Sequence, residues 1–386
     1  MPPRVYLDHH ATTPLCPEAR EALRAYAEGA HGNPSSVHGA GRRARHLLER
    51  ARATVAQGLG ASAREVVFTS GGTEGAHFIV RAVGGALGPS RVCCDPGAHP
   101  CLVAASELLA GEFQVPFFWL PVHDGGALDL EALPGLLRPG ALVAASLVQH
   151  ETGRLLRWRA LRDACHDAKC AWVCDAAQAL GKTPLDVGVL GARAASVSGH
   201  KVGGPTGIGA VWVSGDAKVR QLVTGGSQER GLRAGTPNMY GIVGLGAAMS
   251  VLNLRLGAME GVGRLRAVVE EGLLVCEGVT SSVADLERVA TVAHVAVEGV
   301  AGEELVAALD LEGYEVSSGA ACSSGRAEPS ATLLRLFPSA PWRASGALRV
   351  SLGPETTEDE VRGLVEVFPR VLARVRGQGY RSTTRM

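Results

Sequence analysis

Short continuous runs of apolar residues alternate along this chain with stretches in which apolar positions recur every three or four residues. The runs cover 65–70, 91–95, 113–121, 141–148, 171–175, 194–198 and 207–214, and the helical spacing is clearest over 73–87, 100–109 and 156–168. Strands that are apolar throughout, rather than alternating, are buried on both faces, so the pattern predicts an α/β fold with a mainly parallel sheet flanked by helices. In such sheets ligands sit beyond the carboxyl ends of the strands. After about residue 255 the texture changes: 290–297 and 347–352 read as strands, and 357–375 as an amphipathic helix opened by a Thr357–Glu360 capping box. The expected organisation is a large domain over 15–255, a smaller α+β domain formed by 1–14 and 256–376, and a polar, frayed tail over 377–386.

Composition narrows the function classes. Of the 386 residues 46% are hydrophobic and 20% charged, and 38 basic residues balance 38 acidic ones. A non-specific binder of nucleic acid or of an anionic membrane should be more basic than this. The longest charge-free stretch, 234–254, contains Pro237, Asn238 and Ser250 and is expected to be a loop and a buried helix, not a membrane span. Met1-Pro2-Pro3-Arg4 lacks the apolar core of a signal peptide. Nine cysteines, an odd number, fit reduced thiols better than a disulfide framework, and the expected location is the cytoplasm. Glycine accounts for 50 residues, about twice the usual ~7%, as loops closing on a ligand require. Only four lysines occur, Lys169, Lys182, Lys201 and Lys218, so a mechanism needing a reactive amine has four candidates.

Several motifs fail on inspection. Gly181-Lys182-Thr183 ends like a phosphate-binding loop, but Ala176 stands where the first glycine is needed. No G-x-G-x-x-G follows the first strand, and His150-Glu151 has no second zinc-protease histidine after it. Cys165, Cys170 and Cys174 with His166 lack the CxxC pairs of a zinc module, and no metal is expected. What remains is polar chemistry at strand ends. Asp175 closes one apolar strand, Ser198-Gly199-His200-Lys201 follows the next, and Gly71-Gly72-Thr73 joins a third to a helix start whose N–H groups suit a phosphate. An acid at one strand end and a lysine at the next suit pyridoxal phosphate: the lysine forms a Schiff base, and the carboxylate keeps the pyridine nitrogen protonated.

Taken in order, the motifs carry a resemblance. They are Asp8-His9-His10-Ala11-Thr12-Thr13-Pro14, Gly32-Asn33-Pro34-Ser35-Ser36, Phe68-Thr69-Ser70-Gly71-Gly72-Thr73-Glu74, Ala98-His99-Pro100 and Asp175-Ala176-Ala177-Gln178. They continue with Ser198-Gly199-His200-Lys201, 228–236, Ser317-Ser318-Gly319-Ala320-Ala321-Cys322-Ser323-Ser324 and Leu348-Arg349-Val350-Ser351-Leu352-Gly353. From residue 5 to about 370 the chain resembles the cysteine desulfurases of the NifS/IscS type, class V aminotransferases of PLP fold type I. That resemblance implies a seven-stranded sheet in the large domain. It implies pyridoxal 5'-phosphate in Schiff base with Lys201, Asp175 on the pyridine nitrogen, His99 stacked on the ring and moving protons, and Gln178 on the phenolic oxygen. It further implies Gly72, Thr73, Ser198 and His200 around the phosphate, with Thr236 entering from the partner subunit of a homodimer. Asn33 and Arg349 would hold the carboxylate of L-cysteine, and a guanidinium fork matches a carboxylate bidentately.

Cys322 separates these enzymes from ordinary transaminases. The small residues around it make a poor core strand and suit a loop. The resemblance implies that its thiolate takes sulfur from L-cysteine, leaving L-alanine, and that the persulfide passes to a sulfur acceptor or iron–sulfur scaffold protein for cluster assembly or thiolation. The chain departs from the family at His150, which stands where Asn reaches the phenolic oxygen, at Ala76 and His77 after Glu74, and at Thr206 where Lys is common. The alternatives are a selenocysteine lyase or transaminase-like class V enzyme in which Cys322 is dispensable, and a non-catalytic sulfur carrier, which the joint presence of Lys201, Asp175, His99 and Cys322 disfavours.

Overall fold

The computed structural model describes residues 4–29, 31–319 and 328–382, with side chains as far as Gly377. Cys322 lies outside the described residues. The strands, in chain order, are β1 (Val5–Tyr6), β2 (Val66–Thr69), β3 (Arg91–Cys94), β4 (Phe117–Trp119), β5 (Ala141–Ser146), β6 (Ala171–Asp175), β7 (Ala194–Ser198), β8 (Gly209–Val213), β9 (Val279–Ser281), β10 (Val292–Val297), β11 (Tyr314–Glu315) and β12 (Ala347–Ser351). Seven of them form one sheet in the order β2-β8-β7-β6-β5-β3-β4. Only β8 runs against its neighbours, and every other pairing is parallel.

Each apolar run predicted as a strand of the large domain contributes to this sheet. β5, β7 and β8 are buried along their whole length, as continuous apolar strands covered on both faces must be. One side packs against Val55, Leu59, Ile242 and Leu245, and the other against Ile79, Val83, Leu102 and Leu109. The helices Gly39–Leu59 and Met239–Ser250 approach so closely that a Cβ on Gly246 would sit 2.7 Å from that of Ala51. Among the described residues no single helix is long and apolar enough to cross a membrane. The 113–121 run is the least faithful. Phe113 ends the helix Pro100–Phe113, Gln114 caps it in the left-handed region at φ 54°, and only Phe117–Trp119 remain as strand.

A second core gathers Leu7 with Val262, Leu273, Val295, Leu305 and Phe368. It fills the space around the antiparallel sheet β12-β10-β9 and the parallel pair β1–β11. The Thr357–Glu360 capping box forms: Thr357 N donates to Glu360 Oε2 at 2.7 Å, and Glu360 N to Thr357 Oγ1 at 3.4 Å. The helix it opens runs over Glu358–Ser382, past its expected end at residue 375 and through Gly377. A glycine lowers helix propensity by about 1 kcal/mol without removing a hydrogen bond, so it does not stop a helix already anchored by Phe368, Val371 and Val375.

One buried ion pair ties the loop before Thr236 to the sheet. Arg52 donates to Glu229 at 2.6 and 2.9 Å, and Phe68 N donates to the same carboxylate at 2.9 Å. Removing one partner strands the other charge in the interior, which costs about 3–5 kcal/mol. Glu229→Gln should therefore lower the unfolding free energy by about 3 kcal/mol in urea melts. A loss under 1 kcal/mol would mean that the pair is solvated.

Candidate active site

Ser146, Asp175 and Ser198 end the adjacent strands β5, β6 and β7, and all three line one cavity of about 720 Å³. The strand register sets Ser146 beside Asp175. On the far side of β8, a Cβ on Gly209 would lie 2.9 Å from Gly71, so glycine is required for β8 to pass beneath the turn that presents Gly72 and Thr73. Gly72, Thr73, His99, His150, Asp175, Gln178, Ser198, His200, Lys201 and Arg349 thus meet at the same cavity.

Lys201 follows β7 in the short turn Gly199–Lys201, and its Nζ donates to the carbonyls of His10 and, at 2.8 Å, Ala11. Burial pushes the Asp175 carboxyl up; the Ala177 N–H at 3.0 Å, His99 and Lys201 oppose it. His99 caps the helix Pro100–Phe113, its Nδ1 accepting from Cys101 N at 3.2 Å. Its ring meets that of His150 edge-on, with centroids 4.9 Å apart. Burial lowers both imidazoles, His150 well below the usual value, so both are neutral near pH 7. Burial and the neighbouring Lys201 and Lys182 likewise bring His200 down to about 4. Arg349, on β12, donates to Asp8 Oδ1 at 2.7 Å and to the His150 carbonyl at 3.1 Å.

Two expected residues stand apart. Asn33 is exposed, with its Oδ1 accepting from Ser35 N at 2.9 Å, and Thr236 is exposed in the loop after Arg233. Neither lines this cavity of its own chain.

The donor set can be tested against an anionic, aromatic cofactor. Among the described residues, the buried Ser198 Oγ and the Arg349 Nε have no hydrogen-bond partner. A buried donor left unpaired costs about 1–3 kcal/mol, so the cavity has unmet capacity for anionic oxygens. Asp175, half-buried at the end of β6 and in no ion pair among the described residues, has the complementary need for a cation, which a protonated pyridine nitrogen meets. Pyridoxal phosphate fits this set.

Sequence reasoning gave no role to Lys182, His10 or Glu151. In the sequence Lys182 resembles only the end of a phosphate loop and Glu151 only part of a protease motif; burial, the property that makes them notable, leaves no local signature. Glu151 Oε1 accepts from Ser330 Oγ at 2.7 Å and lies 3.4 Å from His150 Nε2, while Oε2 is buried without a partner among the described residues. Burial pushes its carboxyl up to about 7, with Ser330, Arg349 and Arg335 opposing.

The sign of the linkage follows. Between about pH 4.5 and 7 the folded chain holds a proton on Glu151 that the unfolded chain has released, so this group's contribution to stability falls as pH rises through that window. Glu151→Gln keeps the Ser330 contact and removes the penalty. It should match wild type near pH 4 and exceed it by about 3 kcal/mol above pH 8 in denaturant melts. Equal stability at both pH values would mean that Glu151 ionises normally.

Known proteins share this sequence pattern and this fold. The aminotransferase class-V family pattern matches residues 5–364. The chain belongs to the class-V aminotransferase family. Within it, this chain is 39% identical to a cysteine desulfurase of Cereibacter sphaeroides over 97% of each protein. It is 35% identical to an IscS-like cysteine desulfurase of Mycobacterium tuberculosis, over 96% of this chain and 97% of that one. Among solved structures, a NifS-like protein superimposes with a TM-score of 0.88 at 28% identity, over 96% of this chain and 100% of the other. The apo cysteine desulfurase of Thermococcus onnurineus NA1 gives 0.85 at 25% identity, over 97% and 95%.

Proposed function

We propose that this class-V family member is a pyridoxal-phosphate-dependent cysteine desulfurase, converting L-cysteine and the Cys322 thiol into L-alanine and a Cys322 persulfide. The observation that carries the reading is the meeting of Asp175 and Lys201 in one cavity, with Lys201 the single lysine among the described residues lining it. The curated relatives named above as cysteine desulfurases, matched over nearly their whole length, support the same reaction.

When bound, the cofactor supplies an electron sink conjugated to the substrate's α-carbon. Lys201 would hold it covalently and, once freed by the substrate, take up and return the α-proton. Asp175 keeps its pyridine nitrogen charged, and neutral His99 packs against the ring and carries protons to and from the substrate thiol. Ser198, Thr73, Gly72 and His200 would bind the phosphate, and His150 and Gln178 would serve the phenolic oxygen. Arg349 turns its fork to the substrate carboxylate, helped by Asn33; Thr236 serves the site of the second subunit in a homodimer. The exposure of Thr236, away from the cavity of its own chain, supports that division of labour.

The sulfur step balances without an outside oxidant: the Cβ–S bond of L-cysteine breaks, a new S–S bond forms on Cys322, and the Cβ receives the proton that completes alanine. It requires a thiolate. Burial raises the thiols of all eight described cysteines, with Cys93 and Cys101 near 12, so none of them is a ready nucleophile at neutral pH. That pattern supports Cys322 as the acceptor. The persulfide then passes to the thiol of a sulfur-acceptor or iron–sulfur scaffold protein in the cytoplasm.

The test is stoichiometric. With L-cysteine and dithiothreitol, the cofactor-loaded protein should yield alanine and sulfide in equal amounts. Alanine without sulfide, or pyruvate in place of alanine, would overturn the assignment.

A further inference from the structure

Lys182 is almost completely buried, at 8% exposure, yet it does not line the cavity. Its Nζ donates to Gln178 Oε1 at 2.8 Å. Gln178 Nε2 in turn donates to the His10 carbonyl at 2.9 Å, the same oxygen that accepts from Lys201. Gln178 itself does line the cavity.

These contacts leave the glutamine amide one satisfactory orientation. A backbone carbonyl only accepts, so Nε2 must face His10, which turns Oε1 toward the N–H groups of Lys182. Flipping the amide would set its oxygen against the His10 carbonyl oxygen and take from Lys182 the acceptor its N–H groups now have. Burial, Lys201, Arg255 and Arg349 all push the Lys182 amine well below its usual range. Burial lowers His9, His10 and His200 as well, with Lys182 a smaller contributor to each. A neutral amine still carries two N–H groups, so the bond to Oε1 survives loss of the proton.

We propose that Lys182 is a positioning residue that locks the Gln178 amide with its N–H edge toward the cavity, ready to donate to the phenolic oxygen of the bound cofactor. Gln178 Nε2 has two hydrogens; His10 takes one, and the other is the one presented. The inference rests on the cofactor assignment made under Proposed function and extends it to a residue that never touches the cofactor.

The experiment is a pH titration of the visible cofactor band in pyridoxal-phosphate-loaded wild type, Lys182→Met, Gln178→Ala, the double variant and Lys182→Arg. A donor to the phenolic oxygen stabilises its ionised form, so losing the donor should raise the band's midpoint by about one pH unit. Lys182→Met should show the same shift as Gln178→Ala, and the double variant no more than either, as coupled residues do. Lys182→Arg, which keeps the donors, should stay near wild type. A general loss of packing would not reproduce this non-additivity in a spectroscopic midpoint. The proposal is overturned if Lys182→Met keeps the wild-type midpoint, if the two shifts add, or, should Lys182→Met not fold, if Lys182→Arg shifts as far as Gln178→Ala. Wild type that takes up no cofactor would instead sink the functional assignment itself, whereas coloured wild type with an unshifted Lys182→Met defeats only this inference.

Discussion

Lys201→Ala should purify without the yellow of bound pyridoxal phosphate and should lose sulfide release from L-cysteine by a factor on the order of 10^3 or more. The size of the effect follows from two duties on one atom. Nζ is the covalent attachment point and also the amine placed to move the α-proton, so the substitution removes both. No neighbour can substitute: Lys182 is buried behind Gln178 and off the cavity, and no other lysine among the described residues lines it. The fold should survive, because Lys201 stands in the short turn after β7, where its Nζ donates to the carbonyls of His10 and Ala11. Absorbance after incubation with pyridoxal phosphate, read beside a far-ultraviolet spectrum, checks both halves. A folded, yellow Lys201→Ala protein would show that another amine holds the cofactor.

The second large effect belongs to Cys322→Ser. This variant should keep the cofactor band at wild-type intensity and lose sulfide release entirely, because a hydroxyl at neutral pH is not a sulfur nucleophile and the eight described thiols are held protonated by burial. The two variants therefore separate binding from sulfur transfer: one loses colour and reaction, the other only reaction. If Cys322→Ser released sulfide at the wild-type rate, the thiol would be dispensable and the chain would join the class-V enzymes that act without it, selenocysteine lyases among them.

The fold was legible because burial on both faces leaves apolar runs without alternation. The runs at 141–148, 171–175 and 194–198 became the middle of the sheet. Where a strand is short and peripheral the signal failed: β4 shrank to three residues once Gln114 turned the preceding helix off. β1, β9 and β11, of two or three residues each, carry too few side chains to show a period. The site was legible where chemistry sits at strand ends, as at Asp175, Ser198 and Lys201. It was illegible where partners come from distant segments. His10, 168 residues from Gln178, supplies the carbonyl that orients it, and Glu151 acquires its raised carboxyl from burial beside Ser330, 179 residues on. Asn33 and Thr236 rest on the resemblance alone: both are exposed and away from the cavity of their own chain, so no local pattern points to them.

The central claim is that the amine at 201 and the thiol at 322 act on one substrate at one cofactor. Peptide mass spectrometry after a single turnover with L-cysteine, with free thiols alkylated, tests it most directly. One additional sulfur atom should be found on the peptide carrying Cys322 in the wild type, and none on any peptide of Lys201→Ala. Extra sulfur on another cysteine, or on Cys322 when Lys201 is gone, would contradict it.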